Sequence, residues 1–471
     1  MSAYPISSSR QALALSAGEI VARILGFAGM VVIARAFGAD VLGIIALGST
    51  LLTVFSAIIV FGQDTYGIRR VASEPDNVRL ITSEVISTKL MLSIPVVFLY
   101  VAFVAMLFGS TGIHDTVLYL FGLPLIFSVF SLDFLFIGQE RNHLIGARML
   151  VQATCYFLCL GAISLLSGTV VLIPVSLAGA VLAGTIFSHS RGRPDLHLRI
   201  AGILQRSRQA LKASTILGIS QISVILYLQL NVLVVGAIVA AEQLGIYAAG
   251  QRVTAALAFV PGILLQVHMA RIGSASSAGE RRRCIGTLLQ SMSFIGGLLC
   301  GNLFILAPVV LPAVFGLAYS GGIVPLRILS VALWVVFFNM SFANPLLLWN
   351  EERKYLTIVV SAGLLNLAAS VVLSHRWGIT GAAIATLITE TYVLAMSVRA
   401  YMRVVGRQSP VQWKVLLAPV LFAVALASGS MAPPAWSSGV AASLFTAAMF
   451  LSIFVWRLPI PGLRIPDASH E

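Results

Sequence analysis

The 471-residue chain is 58% apolar and only 10% charged, with a mean hydropathy of +0.97. A soluble domain is typically about 45–50% apolar and about 25% charged, so this chain has too little polar surface to cover itself in water and lipid must be the solvent for much of it. The net charge of +13 would suit a phosphate-rich polymer, but the basic residues sit in short loops between apolar runs. With no soluble domain to hold a polynucleotide, nucleic acid is not an expected partner.

A helix that crosses a bilayer needs about 20 largely apolar residues and satisfies its own backbone polar groups. The first such run, Leu15–Phe37, ends in Ala34-Arg35-Ala36, which mimics a signal-peptide cleavage site. Its length and the charges Glu19 and Arg23 mark it instead as a retained span. Further runs at Val41–Phe61, Ile86–Phe108, Thr116–Phe136, Met149–Leu166 and Thr169–Phe187 complete a first group of six. A basic linker, His189–Lys212, follows; its periodic Leu196, Leu198, Ile200 and Leu204 predict a helix lying on the membrane surface. The second group is Ala213–Val239, Leu244–Val267, Cys284–Leu311, Ile323–Trp349, Tyr355–Leu373 and Ile379–Val398, with a break expected at Asn344-Pro345. Val415–Ala432 and Trp436–Val455 bring the total to about fourteen.

Loop charge tests that count. Twenty-four of the 30 basic residues, from Arg10 to Arg464, fall on one side; Arg376 alone falls on the other, and five lie inside spans. The positive-inside rule then places both termini in the cytoplasm. The expected division is residues 1–188 as a six-helix lobe, 189–212 as linker, 213–403 as a second six-helix lobe, and 404–471 as two extra helices with a tail.

The two groups of six resemble each other. Leu42-Gly43-Ile44 with Gly48 aligns with Leu244-Gly245-Ile246 with Gly250, and Ala39-Asp40 ahead of them with Ala241-Glu242. Further on, Gln139-Glu140-Arg141 recurs as Glu351-Glu352-Arg353. Because six is even, both halves start on the same side of the membrane; they are parallel repeats, with a transport path expected between them.

Enzymatic chemistry finds no support. There is no phosphate-binding loop or dinucleotide glycine pattern, and no Ser/His/Asp constellation stands out among the seven histidines. Cys155, Cys159, Cys284 and Cys300 make no metal or redox pattern and read as packing residues. No cofactor is expected.

Ala34-Arg35-Ala36-Phe37-Gly38 through Leu42-Gly43, then Gly62-Gln63-Asp64 and Arg69-Arg70, resemble the opening of the Wzx-type polysaccharide-repeat-unit flippases. These belong to the multidrug/oligosaccharidyl-lipid/polysaccharide exporter superfamily. Gly245-Ile246-Tyr247 with Gln251-Arg252, Pro261, and Trp377-Gly378-Ile379-Thr380-Gly381-Ala382-Ala383 carry the resemblance through the second half. It implies an all-α, V-shaped transporter of two lobes, with a cavity lined mainly by spans 1, 2, 7 and 8. It also implies a cargo of undecaprenyl-pyrophosphate-linked sugar, turned from the cytoplasmic to the outer leaflet of the inner membrane. Membrane lipid and polysaccharide polymerase or assembly proteins are the other implied partners. Fourteen spans occur also in the peptidoglycan-precursor branch, which stays open beside a multidrug exporter; a membrane scaffold of a glycan-assembly complex is the reading from another class.

Ionisable residues inside spans are functional candidates because each is costly in hydrocarbon unless paired or hydrated. Arg23 and Arg252 lie eight residues into their spans, about 12 Å deep, and an arginine fork suits a pyrophosphate. Arg35 belongs to the same cationic set, although it, Lys89, Asp133 and Arg327 lie near span ends and can snorkel. Glu19 stands one turn before Arg23, so the two can instead form a structural pair. Gln221, Gln229 and Asn231, with Ser214, give span 7 a density of polar groups fit either for sugar hydroxyls or for helix packing. Glu390, deep in span 12, and Glu19 are candidates for proton or ion coupling.

Overall fold

The computed structural model describes residues 6–108, 112–166, 168–192, 203–406, 442–443 and 445–446. All regular structure among them is helical. Among the described residues, ten helical segments are long and apolar enough to cross a membrane, so the chain is a multi-pass α-helical membrane protein. Two of the ten are double length. Helix α1 (Ile6–Val60) runs through expected spans 1 and 2 with a single break at Gly38 (φ 85°, ψ −179°), and α14 (Glu352–Val405) runs through spans 11 and 12 with a break at Trp377 and Gly378 (φ 54°). Glycine at positive φ carries no Cβ penalty, so each hairpin turns within a residue or two where a loop was expected.

The intervening elements are α2 (Gln63–Ser73), α3 (Val78–Phe108), α4 (Ile113–Leu120), α5 (Leu123–Ser128), α6 (Asp133–Gly138), α7 (Asn142–Leu165) and α8 (Leu172–Gly192). After them come α9 (Ile203–Ile238), α10 (Ala241–Leu257), α11 (Val260–Ser274), α12 (Ala278–Phe315) and α13 (Ile323–Leu348). Expected span 4 is thus divided among α4, α5 and α6, and span 8 between α10 and α11. The break expected at Asn344-Pro345 does not interrupt α13, which continues to Leu348. Proline three residues from a helix end removes only a donor of the last turn. Span 13, all of span 14 except residues 442–443 and 445–446, and most of the linker, including Leu196 and Ile200, lie outside the described residues.

The chain divides into two compact units at Gly245/Ile246. In the first, α1 packs on α7 and α9, α7 on α8, and α2 on α6, α3 and α9. Val71, Ile81, Val85, Leu132, Phe134 and Phe136 form a core around α2 and α3. In the second, α13 packs on α12 and α14, with Leu288, Met292, Phe337, Phe342, Trp349 and Tyr401 in its core.

Residues matched in the sequence repeat touch each other. A methyl carbon on Gly43 would collide with the Ala241 carbonyl oxygen, and one on Gly245 with the Ala39 carbonyl oxygen. Ala39/Gly43 on α1 and Ala241/Gly245 on α10 therefore make one reciprocal small-x-x-x-small crossing, in which missing side chains let two backbones approach. By contrast, nothing lies within 4 Å of a methyl on Gly26. Gly43→Ala and Gly245→Ala should each lower stability by about 1–3 kcal/mol, the usual cost of overpacking. Gly26→Ala should not. Thermal unfolding in detergent compares the three, and equal midpoints for all would refute the crossing.

Candidate functional site

The expected site residues divide between the units. In the first, Arg23 and Glu19 form the i, i+4 pair, with Arg23 Nη2 2.6 Å and Nε 3.2 Å from Glu19 Oε1. Their side chains remain 64% and 41% exposed, so the pair is presented outward from α1. Arg35 is also exposed, three residues before the Gly38 break. On α9, Gln221, Gln229 and Asn231 are half-buried. Ser214, one face with Gln221 by spacing, is fully buried and accepts a 2.8 Å hydrogen bond from Gln63 Nε2 of α2. That serine serves helix packing.

In the second unit, Arg252 is exposed on α10, while its neighbour Gln251 donates to the Tyr247 hydroxyl at 3.2 Å. Glu390 is half-buried, and Asn339 of α13 reaches it with both amide hydrogens. Nδ2 donates to Glu390 Oε2 at 2.6 Å and to the Glu390 backbone oxygen at 3.1 Å. A carboxyl inside a span has thereby gained an amide donor from the neighbouring helix.

Two charges assigned to span ends behave differently from that expectation. Lys89 does not snorkel: it is fully buried, paired with Asp64 of α2, and its ammonium lies 5.3 Å from the centre of the Phe134 ring. Asp133 holds Arg148 through two bonds of 2.8 and 2.7 Å. Sequence spacing alone missed the Lys89–Asp64 pair because its members are 25 residues apart on different helices; opposite charges near facing span ends were the available signal. Asn339 was missed outright, being a lone amide in an apolar run.

Outside the spans, Arg70 joins this region through Glu74 (2.7 Å), Glu84 (3.2 Å) and the Tyr66 hydroxyl (3.1 Å). Its hydrogen bond, with a lesser one from Asn77, holds the Glu74 carboxyl below its ordinary range. Among the described residues no group of His, Cys, Asp and Glu is placed to hold a metal ion.

What the two units offer is a multi-pass helical scaffold with cations exposed on α1 and α10 and a hydrogen-bonded carboxyl between α13 and α14. The fold is shared with solved structures. The chain is similar to the lipid II flippase MurJ in an inward closed conformation, with TM-score 0.71 at 13% identity over 94% of this chain and 98% of that one. It is similar also to an inward-facing multidrug-resistance MATE transporter of the MOP superfamily (TM-score 0.63, 14% identity, 89% and 99% covered). A MATE protein in complex with MaD3S gives TM-score 0.55 at 14% identity, with 84% and 96% covered. Residues 8–268 match the family described as "Polysaccharide biosynthesis protein", and the chain belongs to that family. No curated protein matches the sequence.

The Lys89–Asp64 pair makes an asymmetric prediction. Asp64→Asn strands an ammonium with no water around it, which costs about 3–5 kcal/mol when a buried pair is broken. Lys89→Met leaves a carboxylate that is 31% exposed and can hydrate, so it should cost far less. Thermal midpoints of the two variants and of the double variant measure the difference; a milder Asp64→Asn would contradict the assignment.

Proposed function

We propose that this protein carries a lipid-linked, undecaprenyl-pyrophosphate oligosaccharide repeat unit from the inner to the outer leaflet of the cell inner membrane by alternating access, with no covalent chemistry of its own. The observation that carries the reading is a conjunction: the polysaccharide-biosynthesis family match over residues 8–268 on a fold shared with the lipid II flippase MurJ. The two six-span halves are the proposed moving parts, and both termini are proposed to lie in the cytoplasm, a reading the distribution of loop arginines supports. Peptidoglycan precursor and multidrug cargo remain the second choice, because a likeness at 13–14% identity to MurJ and MATE proteins speaks to fold alone.

Arg252, Arg23 and Arg35 are the proposed grip on the pyrophosphate. All three are exposed on helices that otherwise present apolar side chains, and a guanidinium stays charged while offering two parallel donors to phosphate oxygens. Gln221, Gln229 and Asn231 are the proposed contacts to sugar hydroxyls. Glu390, cradled by Asn339, is the proposed proton-coupling carboxyl, and Glu19 acts through Arg23.

Transport of lipid-linked glycan to the outer leaflet, scored beside protein level, tests the grip. Arg252→Ala should cut transport at least tenfold with normal insertion, and Arg252→Lys should keep an intermediate rate. If Arg23 serves only Glu19, the exchange Glu19→Arg with Arg23→Glu will restore transport; a cargo-binding Arg23 predicts that the exchanged protein stays inactive. Normal transport by the joint Arg23→Ala and Arg252→Ala variant would end the cationic-grip reading. For coupling, Glu390→Gln should remove the response to an imposed proton gradient, and an unchanged response would exclude this carboxyl.

A further inference from the structure

Helix α9 carries the first span of the second sequence group, yet it lies in the first compact unit, and its main packing partners are α1, α2 and α3. Its N-terminal half meets α2 and α3 through small and neutral residues. A methyl on Gly62, whose φ of 72° already favours glycine, would lie 2.6 Å from the Gly218 nitrogen, and one on Gly218 would lie 2.8 Å from the Phe61 carbonyl oxygen. The missing side chains let the two backbones meet there. One turn before Gly218, Ser214 accepts the 2.8 Å bond from Gln63 Nε2. Two turns earlier, Ser207 Oγ stands 3.4 Å from Ser87 Oγ of α3. All four of these polar side chains are buried, and none is charged.

The attachment of α2 to α3 is of another kind. Asp64 of α2 pairs with Lys89 of α3, and Glu84 of α3 takes both Arg70 (3.2 Å) and the Tyr66 hydroxyl (3.1 Å) of α2. Breaking a buried ion pair leaves an uncompensated charge, so α2 and α3 stay together. Parting α9 from them breaks only neutral contacts at Gln63–Ser214 and Ser87–Ser207. It also relieves a defect. Gln63 is fully buried, and its Oε1 has no hydrogen-bond partner among the described residues. A buried acceptor left unpaired costs free energy, and water reaching Gln63 would satisfy it. The docked arrangement thus keeps one bond and forgoes another that an undocked arrangement regains, which is the balance a reversible contact needs. At the far end of α9, a methyl on Gly236 would meet the Leu47 side chain at 2.9 Å, and the chain then enters the Ala241/Gly245 crossing.

We infer that Gln63 and Ser214 form a latch, by which the N-terminal end of α9 docks on and leaves the α2–α3 pair while its far end stays held at the crossing with α1. Arg69 and Arg70 on α2, with Arg208 and Lys212 on α9, support a cytoplasmic position for the latch. Closed, it seals α9 against α2 on that side; open, it admits water and a polar headgroup between them. A ligand that prefers one arrangement shifts the balance between the two. The part played in transport rests on the function proposed above; the two positions of α9 do not.

The test uses the full-length protein in lipid nanodiscs, with Cys155, Cys159, Cys284 and Cys300 replaced by alanine. Spin labels at Ser73→Cys on α2 and Gln209→Cys on α9, both exposed sites, report the separation without any cargo. Pulsed dipolar spectroscopy should resolve two distances, the shorter being that of the structure. Ser214→Ala leaves both polar ends of the Gln63 amide unpaired when docked, so the longer-distance population should rise about threefold, the worth of one hydrogen bond between membrane helices. Joint Gln63→Leu and Ser214→Ala leaves no polar group there to hydrate, so that population should fall below the wild-type level. A single distance, unmoved by either variant, is what permanent packing predicts and overturns the latch. Ser87→Cys with Ser207→Cys then tests its role, because thiols in place of hydroxyls 3.4 Å apart can close a disulfide. Oxidation should stop transport of lipid-linked glycan, and reduction should restore it. Undiminished transport by the cross-linked protein removes the latch from the transport cycle. Two responsive distances in a protein that moves no glycan would sink the proposed cargo and leave the latch in place.

Discussion

An unpaired charge in hydrocarbon costs more than a folded protein can spare, and that constraint orders the interior of this one. Translocon measurements put a central Arg, Lys or Asp at about 2.5–3.5 kcal/mol, a sizeable part of a net stability of about 5–15 kcal/mol. Three polar or charged groups within the packed helices show how such a cost is met. Lys89, without any exposure, has both Asp64 and the face of Phe134. Asp133 has a two-pronged arginine. Glu390 receives the Asn339 amide. Each of these contacts ties two helices together at the depth where the polar group sits.

The same intolerance makes helix the only regular structure and leaves close packing as the main cohesive force between helices, since lipid tails are as apolar as leucine. Small residues then decide where backbones meet. Ala39 and Gly43 meet Ala241 and Gly245 because the duplicated segment places the same small pair on both helices, and a two-fold related crossing needs the same clearance from each side. A duplicated sequence thus supplies a self-complementary contact, as the identical faces of a symmetric dimer do. Gly38, the break inside α1, stands one residue before that crossing.

Much of this was legible in the sequence, for identifiable reasons. Runs of apolar residues report lipid directly, so the first twelve expected spans have helical counterparts, and the repeat was visible as Leu-Gly-Ile followed by glycine. Turns were less legible. Gly38 and Gly378 close hairpins without loops because one positive φ suffices, and nothing in composition separates that from a short linker. Span 4 reads as one run yet is three short helices, since breaks at Gly122 and near Ser131 do not interrupt hydrophobicity. Pairings were least legible: Glu19–Arg23 is local and could be anticipated, whereas Asp64–Lys89 and Asn339–Glu390 depend on which helices touch.

Exposure is where the candidate site gains its meaning. An exposed i, i+4 ion pair is worth about 0.3–0.5 kcal/mol, far less than the cost of placing two charges at mid-span against lipid. The Glu19–Arg23 pair, with side chains 41% and 64% exposed, therefore cannot be accounted for by the stability it contributes to α1. Gly26, three residues after Arg23, has nothing within 4 Å of an added methyl among the described residues. The charges are sustainable only if the face of α1 that carries them meets water, and the same reasoning applies to Arg252 on α10. A hydrated face on a helix otherwise solvated by lipid is what a polar cargo would require.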